Sequence, residues 1–296
     1  MEPQTLGAYQ GVGTGPQNFL LHHRTRISVL LIAPHRNHIM SGSQNLTATA
    51  YDQLSPVIAH RGASGHSPEN TAASLRKGAE LGATWAEVDV AISSDNVAVV
   101  FHDSDVNRCT DGRGLLIQKT ARELAGLDAG SWYSPFYAGE RILTMTDLLT
   151  LANELCLNLN IEIKPTIGRE TETVWAMREA LKQVPFSHTL LLSSFNVHAL
   201  YAAREFLPDF TRALNVEAIP RDWRNRLDET GATGLHFAAD FFEEAIIRDI
   251  HAAGTPMACY TVNDFETAQK LYRSGVKAVF TDYPERLILN ATPVAR

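Results

Sequence analysis

The sequence predicts an α/β fold, a TIM (β/α)8 barrel with a small insertion after strand 2. From residue 56 onward, short apolar runs alternate with amphipathic stretches, which is typical of parallel strands covered by helices. Eight such runs fit into about 240 residues, close to the ~250 that a barrel of this kind needs. We therefore expect the first and last strands to pair and close the barrel.

The predicted elements follow one another at regular spacing. The strands cover residues 56–60, 85–91, 157–163, 189–193, 211–215, 233–237, 256–261 and 277–281. The helices are expected near 70–82, 145–155, 169–184, 196–207, 222–230, 243–253 and 264–274. Each strand except the last is thus followed by a helix that returns the chain to the start of the next barrel strand.

One connection breaks this alternation. After the second strand comes a further short strand at 97–101, followed by a polar stretch that runs to about residue 140. A connection of this length is unusual and often functional. It would leave the barrel at the C-terminal face, where barrel active sites lie. We expect residues 104–140 to form a small insertion that covers one side of the site.

Residues 1–54 differ from the rest of the chain. They are rich in small and polar residues and show no sustained periodicity, so we predict a mostly disordered extension before a barrel domain at 55–296. Met40 is an alternative start, which would place residues 1–39 outside the protein. The apolar run at 27–33 is short and is closed by Pro34, which disfavours a signal peptide.

Composition excludes several classes of protein. The net charge is −7 and no cluster of Lys and Arg occurs, which argues against a nucleic-acid partner. The three cysteines are widely spaced without a C-x-x-C motif, which disfavours disulfide and zinc–thiolate sites and fits a reducing compartment. No apolar run approaches the ~20 residues of a membrane span. We expect a cytoplasmic protein without a membrane span.

The second strand carries two carboxylates on one face. Side chains alternate along a strand, so Glu87 and Asp89 point the same way, while Val88 points towards the helices. Two carboxylates inside a barrel are costly unless a cation neutralises them. A divalent cation is one partner for such a pair, and interior Arg or Lys side chains are the alternative.

Further polar residues are expected at the same end of the barrel. Glu162 and Lys164 share a face of the third strand, His60 and Arg61 end the first strand, and His102 follows the extra strand. Carboxylates, imidazoles and cations that converge in this way suit phosphoryl transfer. Phe195 and Tyr260 lie at strand ends and are candidates for the pocket wall.

These motifs resemble a known family. Residues 57–114, VIAHRGASGHSPENTAASLRKGAELGATWAEVDVAISSDNVAVVFHDSDVNRCTDGRG, are similar to the opening signature of glycerophosphodiester phosphodiesterases, with HRG, PENT, E-x-D and HD in the family's order. The resemblance is closest to the bacterial cytosolic branch and covers essentially all of 56–290. It continues through LDAGSWYS (127–134), NIEIKPT (160–166), LLLSSF (190–195), YTVND (260–264) and VFTDYPE (279–285).

The resemblance implies a reaction and a role for each matched residue. The family releases sn-glycerol 3-phosphate and an alcohol from glycerophosphodiesters, as part of glycerophospholipid metabolism. By resemblance, His60 and His102 are the acid/base pair, and Arg61 and Lys164 contact the phosphate. The ligands of Mg²⁺ or Ca²⁺ would be Glu87, Asp89 and Glu162.

Two other functions remain open at this point. A phospholipase of the same barrel type would call for an exposed apolar or basic rim around the site, and the sequence indicates none. A non-catalytic barrel that binds phosphodiesters or metal would have no need for paired histidines. Tyr260 stands where many members of the family have Trp, so the sequence leaves the identity of the alcohol open.

Overall fold

The structure is a computed structural model and describes residues 49–288. Its strands are β1 (Val57–His60), β2 (Trp85–Ile92), β3 (Ala98–Val100), β4 (Asn158–Ile163), β5 (Leu190–Ser194), β6 (Thr211–Val216), β7 (Gly234–Ala238), β8 (Met257–Tyr260) and β9 (Ala278–Thr281). Its α-helices are α1 (Ala72–Glu80), α2 (Ala121–Ala125), α3 (Met145–Glu154), α4 (Glu170–Gln183), α5 (Val197–Phe206), α6 (Trp223–Thr230), α7 (Glu244–Ala252), α8 (Phe265–Arg273) and α9 (Pro284–Ile288).

Every strand except β3 belongs to a closed parallel barrel. β1 pairs in parallel with both β2 and β9, so the first and last barrel strands meet as predicted. β3 runs antiparallel to β2, with Val90 opposite Val100, and lies outside the closed ring. The predicted TIM barrel is confirmed, and the carboxyl ends of its eight parallel strands share one face.

The alternation along β2 has the predicted consequence. Val88 and Val90 pack in an apolar cluster between the barrel and the helices, together with Leu148 of α3 and Met177 of α4. Because side chains alternate along a strand, Glu87 and the other carboxylate of β2 point into the barrel.

The insertion between β3 and α3 has a small apolar core of its own. This core contains Phe101, Val106 and Leu116, and Leu124 of the short helix α2. The insertion rests on the connection between β1 and α1, where the Tyr137 hydroxyl donates a hydrogen bond of 2.9 Å to the carbonyl of His66. It therefore lies at the C-terminal face of the barrel.

The amino end of the described chain packs under the barrel. Ala50 and Tyr51 are buried, and the Tyr51 hydroxyl lies 3.0 Å from His236 Nε2 inside the barrel. The fit is close, because a Cβ on Gly234 would lie 2.1 Å from the Tyr51 hydroxyl oxygen. Trp85 Nε1 donates a hydrogen bond of 3.0 Å to the carbonyl of Gln53.

This packing moves the predicted domain boundary. The ordered domain includes residues 49–54, which the sequence assigns to the disordered extension. Tyr51 is a single aromatic residue in a polar stretch and therefore leaves no periodic pattern. The rest of the predicted extension, 1–48, lies outside the described residues. Within 49–288, no helix combines the length and the apolar character needed to cross a bilayer.

Candidate active site

A cavity of about 430 Å³ opens at the carboxyl ends of the barrel strands. It brings together most of the site residues that the sequence predicts, which come from β1, β2, β4, β5, β8 and the start of the insertion. The predicted residues that line it are His60, Arg61, Glu87, His102, Glu162, Lys164, Phe195 and Tyr260.

Three carboxylates form the most buried part of the site. Ligand oxygens of Glu87, Asp89 and Glu162 all lie within 4.8 Å of one another. Glu87 and Asp89 are 4% and 1% exposed, so water does little to screen their charges. Oxygen donors in this arrangement fit a hard divalent cation such as Mg²⁺ or Ca²⁺.

The chemistry of these carboxylates also fits a cation. Burial raises the pKa of Glu87 well above its usual range, and the neighbouring charges of Asp89 and Glu162 raise it further. Burial and the Asp89 charge raise the pKa of Glu162 to about 7. Burial and mutual repulsion thus disfavour full ionisation of the three carboxylates, and a divalent cation would supply positive charge that stabilises their ionised form.

Arg61 and Lys164 lie beside the carboxylates, as the alternative to a metal requires. Lys164 Nζ is 2.9 Å from Glu162 Oε1, and Arg61 Nε is 3.3 Å from Asp89 Oδ2. The backbone N–H of Arg61 donates to Glu87 Oε2 at 3.0 Å. These contacts lower the pKa values of Glu87 and Glu162, but burial and the neighbouring carboxylates outweigh them and keep both pKa values raised.

Each of the two histidines has a carboxylate oxygen next to its Nδ1 atom. His60 Nδ1 lies 2.8 Å from Asp282 Oδ1, and His102 Nδ1 lies 2.6 Å from Asp103 Oδ1. A carboxylate that accepts from Nδ1–H fixes the tautomer and leaves Nε2 free to exchange a proton. His60 Nε2 is 3.9 Å from Glu87 Oε2, at the edge of the carboxylate cluster.

The surroundings of His102 also shift its pKa. Burial lowers the pKa of His102, an effect that outweighs the opposing charge of Asp89. Its partner Asp103 also accepts from Arg108 Nε at 2.7 Å, which holds the pKa of Asp103 down. A neutral imidazole with an anchored Nδ1 can act as a base near neutral pH.

Several residues of the site carry no role in the sequence-based prediction. Asn70 donates to Asp89 Oδ2 at 2.9 Å, and its own side-chain oxygen accepts from the backbone N–H of Asp89. Glu69 accepts from Arg61 and from Arg108. Both belong to the PENT segment, and Asp282 belongs to VFTDYPE, so the motifs mark these residues without revealing their contacts.

Another part of the cavity wall is aromatic and polar. The Phe195 and Tyr260 rings meet edge to face with centroids 5.9 Å apart. His236 also lines the cavity, and burial lowers its pKa to about 3, so this imidazole is neutral. Glu217, after β6, lines the same wall and is absent from the predicted site.

The fold and this cavity define an enzyme of the phosphodiesterase class, with carboxylates, cations and imidazoles arranged around one opening of a TIM barrel. Residues 60–286 match the glycerophosphoryl diester phosphodiesterase family, and the chain belongs to this family. The family resemblance seen in the sequence is thereby confirmed.

Individual relatives agree with this assignment. The chain is 33% identical over 234 residues to the glycerophosphodiester phosphodiesterase of Caldanaerobacter subterraneus subsp. tengcongensis. This match covers 78% of this chain and 96% of that protein. An Oleispira antarctica phosphodiesterase, solved in complex with the product sn-glycerol-3-phosphate, is 44% identical with a TM-score of 0.79, and the match covers 81% of this chain and 98% of that one. A glycerophosphodiester phosphodiesterase from Thermotoga maritima is 26% identical with a TM-score of 0.62, covering 78% and 96% of the two chains.

Proposed function

We propose that this enzyme hydrolyses glycerophosphodiesters to sn-glycerol 3-phosphate and an alcohol, with Mg²⁺ or Ca²⁺ held by Glu87, Asp89 and Glu162. The observation that carries the proposal is the pairing of two carboxylate-anchored imidazoles with a carboxylate cluster in one cavity. The Oleispira antarctica protein, whose product complex contains sn-glycerol-3-phosphate, supports this substrate class. The three cysteines are unpaired, which supports the cytoplasm as the proposed location.

In the proposed mechanism, Arg61 and Lys164 bind the phosphate oxygens. When bound, a divalent cation would offset negative charge on the phosphate as bonds to phosphorus form and break. One of the two imidazoles, His60 or His102, takes a proton at Nε2 from the attacking hydroxyl of the glycerol. The other gives a proton to the departing alcohol oxygen, and water then opens the resulting cyclic phosphate.

The test is a panel of metals and substrates. The purified protein, stripped by a chelator, is assayed with glycerophosphodiesters in Mg²⁺, Ca²⁺ or no added metal, with coupled detection of sn-glycerol 3-phosphate. We expect activity to disappear on chelation and to return with one of the two cations. Full activity after exhaustive chelation would contradict the metal assignment, and no turnover of any glycerophosphodiester would contradict the function.

The histidine roles need separate variants. Replacing His60 or His102 by Ala should each cost ~10²–10⁴ in kcat, the usual scale of acid/base catalysis. Metal-induced stabilisation should persist in both variants, because neither residue is a proposed ligand. A nitrophenyl phosphodiester, whose leaving group needs no protonation, should rescue only the variant that lacks the acid. Near-normal turnover by both variants would refute the mechanism.

A second candidate substrate is a phosphodiester carried on a lipid. Exposed apolar side chains on the connections that follow barrel strands support this candidate, because Phe136 of the insertion and Ile167 after β4 are 85% and 93% exposed. Phe241, after β7, is 52% exposed. All three lie on connections at the C-terminal face, where apolar side chains can enter a lipid surface.

The two candidates differ in one measurable respect. Release of choline from diacyl phosphatidylcholine vesicles would favour the lipid substrate, whereas release from water-soluble glycerophosphocholine alone would favour the leading proposal. Replacing Ile167 by Ser should lower turnover of vesicles and leave the soluble substrate unaffected if the rim binds lipid.

A further inference from the structure

One part of the cavity carries aromatic and acidic side chains that have no role in binding the phosphate. Phe195 follows β5, Glu217 follows β6 and Tyr260 ends β8, and all three residues line the same cavity as the carboxylates. Two aromatic rings and one carboxylate are the groups that recognise organic cations.

Tyr260 and Glu217 are held next to each other. The Tyr260 hydroxyl donates a hydrogen bond of 2.6 Å to the carbonyl of Val216, the residue before Glu217. The backbone N–H of Ala238 donates to the Glu217 carbonyl at 3.1 Å. Since its hydroxyl is occupied, Tyr260 can offer its ring to a ligand. Burial raises the pKa of Tyr260, and the nearby charges of Glu162 and Glu217 raise it further.

Glu217 differs from the other charged side chains of the cavity. Arg61 and Lys164 pair with carboxylates, and Glu87 and Glu162 belong to the proposed metal site. Across residues 49–288, the Glu217 carboxylate has neither an ion pair nor a side-chain hydrogen bond. Glu217 is an exposed residue, so the solvent-facing part of the cavity lining carries a carboxylate that has no partner among these residues.

This charge lies close to the phosphate side of the cavity. Lys164 Nζ, a proposed phosphate contact, is 5.7 Å from the centroid of the Phe195 ring, and that ring meets Tyr260. A short amino alcohol esterified to the phosphate would therefore extend from Lys164 onto the aromatic pair. Lys164 would not strongly repel the ammonium group of such an alcohol, because Glu162 Oε1 lies 2.9 Å from Lys164 Nζ.

We propose that Phe195, Glu217 and Tyr260 form a subsite for a positively charged alcohol, an alkylammonium group such as that of choline or ethanolamine. The ring faces attract the ammonium through their negative quadrupoles, and Glu217 supplies the opposite charge. This inference rests on the proposed function, since it places the alcohol part of the same phosphodiester.

The experiment compares substrates that differ in the charge of the alcohol. We would measure kcat/KM on glycerophosphocholine, glycerophosphoethanolamine and the neutral glycerophosphoglycerol, with wild-type protein and Glu217→Gln. The ratio of kcat/KM for each cationic substrate to that for the neutral one should fall ~10-fold in Glu217→Gln. Asp240→Asn, an exposed carboxylate after β7 that does not line the cavity, should leave both ratios unchanged.

Two outcomes would overturn the subsite. An unchanged ratio in Glu217→Gln shows that the charge of the alcohol is not recognised there. An equal loss on all three substrates shows that Glu217 serves the glycerol part or the fold.

A second measurement does not depend on turnover. Calorimetric titration with choline alone should show ~10-fold weaker binding to Glu217→Gln than to wild type. Choline binding that is equal in the two proteins also overturns the subsite. Absence of any hydrolysis by wild type contradicts the proposed function instead, and the choline titration still decides the inference.

Discussion

At the scale of single residues, the histidines of the site are oriented by carboxylates other than Glu87, Asp89 and Glu162. Asp282 anchors His60, and Asp103 anchors His102, each at Nδ1. Arg108 then links Asp103 to Glu69, with Nη1 at 2.7 Å from Glu69 Oε2. Because Glu69 also binds Arg61, a continuous chain of charged contacts joins His102 to the carboxylate cluster. Such a network can hold reacting groups in place before a substrate arrives.

Asp282 gives a prediction about pH. Burial opposes its ionisation, but hydrogen bonds from His60, Asn263 and Ser64 outweigh burial and hold the pKa of Asp282 well below its usual value. The folded state therefore binds this proton more weakly than the unfolded state. The resulting stabilisation is complete above the unfolded pKa of ~3.9 and is lost as the pH falls below it.

The measurement is urea unfolding of wild type and Asp282→Asn between about pH 5 and pH 3. The free energy of unfolding should fall more steeply with decreasing pH in wild type than in the variant. The exposed Asp228→Asn serves as the control and should follow wild type. At pH 7, Asp282→Asn should also lower kcat by at least about tenfold, because His60 loses the carboxylate that orients it. Parallel pH curves for wild type and Asp282→Asn would contradict this assignment.

The sequence is informative for some of these residues and silent for others. Glu87 and Asp89 can be predicted because a strand of period two places them on one face, away from Val88. Asp282 and His60 are far apart in the chain, so their contact follows only from the pairing of β1 with β9. Glu217 has no motif, and its position after β6 becomes meaningful only beside Tyr260.

At the scale of elements, the strands lie close to the ranges predicted from the sequence, while the short helices were not predicted. Strand β4 covers Asn158–Ile163 against a predicted 157–163, because apolar runs between turns give a strong signal. Helices α2 and α9 have five residues each, which is too short for a helical period to be seen in the sequence. Thr120 caps the amino end of α2, since its side chain accepts from the backbone N–H of Glu123.

The segment before β1 is also an element of the fold. Tyr51 fills the amino-terminal end of the barrel and pairs with His236, whose imidazole is 1% exposed. Burial keeps His236 neutral, and burial also raises the pKa of Tyr51 and keeps this phenol protonated, so both partners of the hydrogen bond are uncharged. Tyr51, at the amino-terminal end of the barrel, is therefore connected to His236 of the cavity through one hydrogen bond.

Two substitutions at this position separate packing from hydrogen bonding. Tyr51→Ala should lower the free energy of unfolding by ~3–5 kcal/mol, as for other large buried aromatic residues. Tyr51→Phe should cost ~1–3 kcal/mol, because the buried His236 nitrogen loses its partner. Chemical denaturation measures both. Deleting residues 1–48 should leave the free energy of unfolding near that of wild type. A smaller loss of this free energy in Tyr51→Ala than in Tyr51→Phe would contradict the packing role of Tyr51.

At the scale of the whole molecule, the barrel brings like charges together at its centre. β2 and β4 lie side by side, with Asp89 opposite Glu162, so the register of two strands fixes the carboxylate cluster. The rest of the barrel supplies an apolar layer that stabilises the fold against this repulsion. In the metal-free protein, the repulsion within this cluster lowers the free energy of unfolding, a cost that active sites commonly carry.

This arrangement predicts how a cation changes stability. Metal-free wild type carries repulsion among Glu87, Asp89 and Glu162, so Glu87→Gln should be at least as stable as wild type at pH 7 in a chelator. Adding Mg²⁺ or Ca²⁺ at ~100 times the dissociation constant should stabilise wild type by about 2.7 kcal/mol. The same addition should stabilise Glu87→Gln much less, because one ligand charge is gone.

Thermal unfolding in chelator, in divalent salt and in monovalent salt of equal ionic strength tests this prediction. The monovalent control is necessary because screening alone weakens repulsion between partly exposed charges. A melting temperature that rises equally in wild type and Glu87→Gln would show that the cation binds elsewhere. A rise confined to wild type would assign the cation to the cluster without reference to turnover, since stability depends on binding to the folded state and not on the reaction that follows.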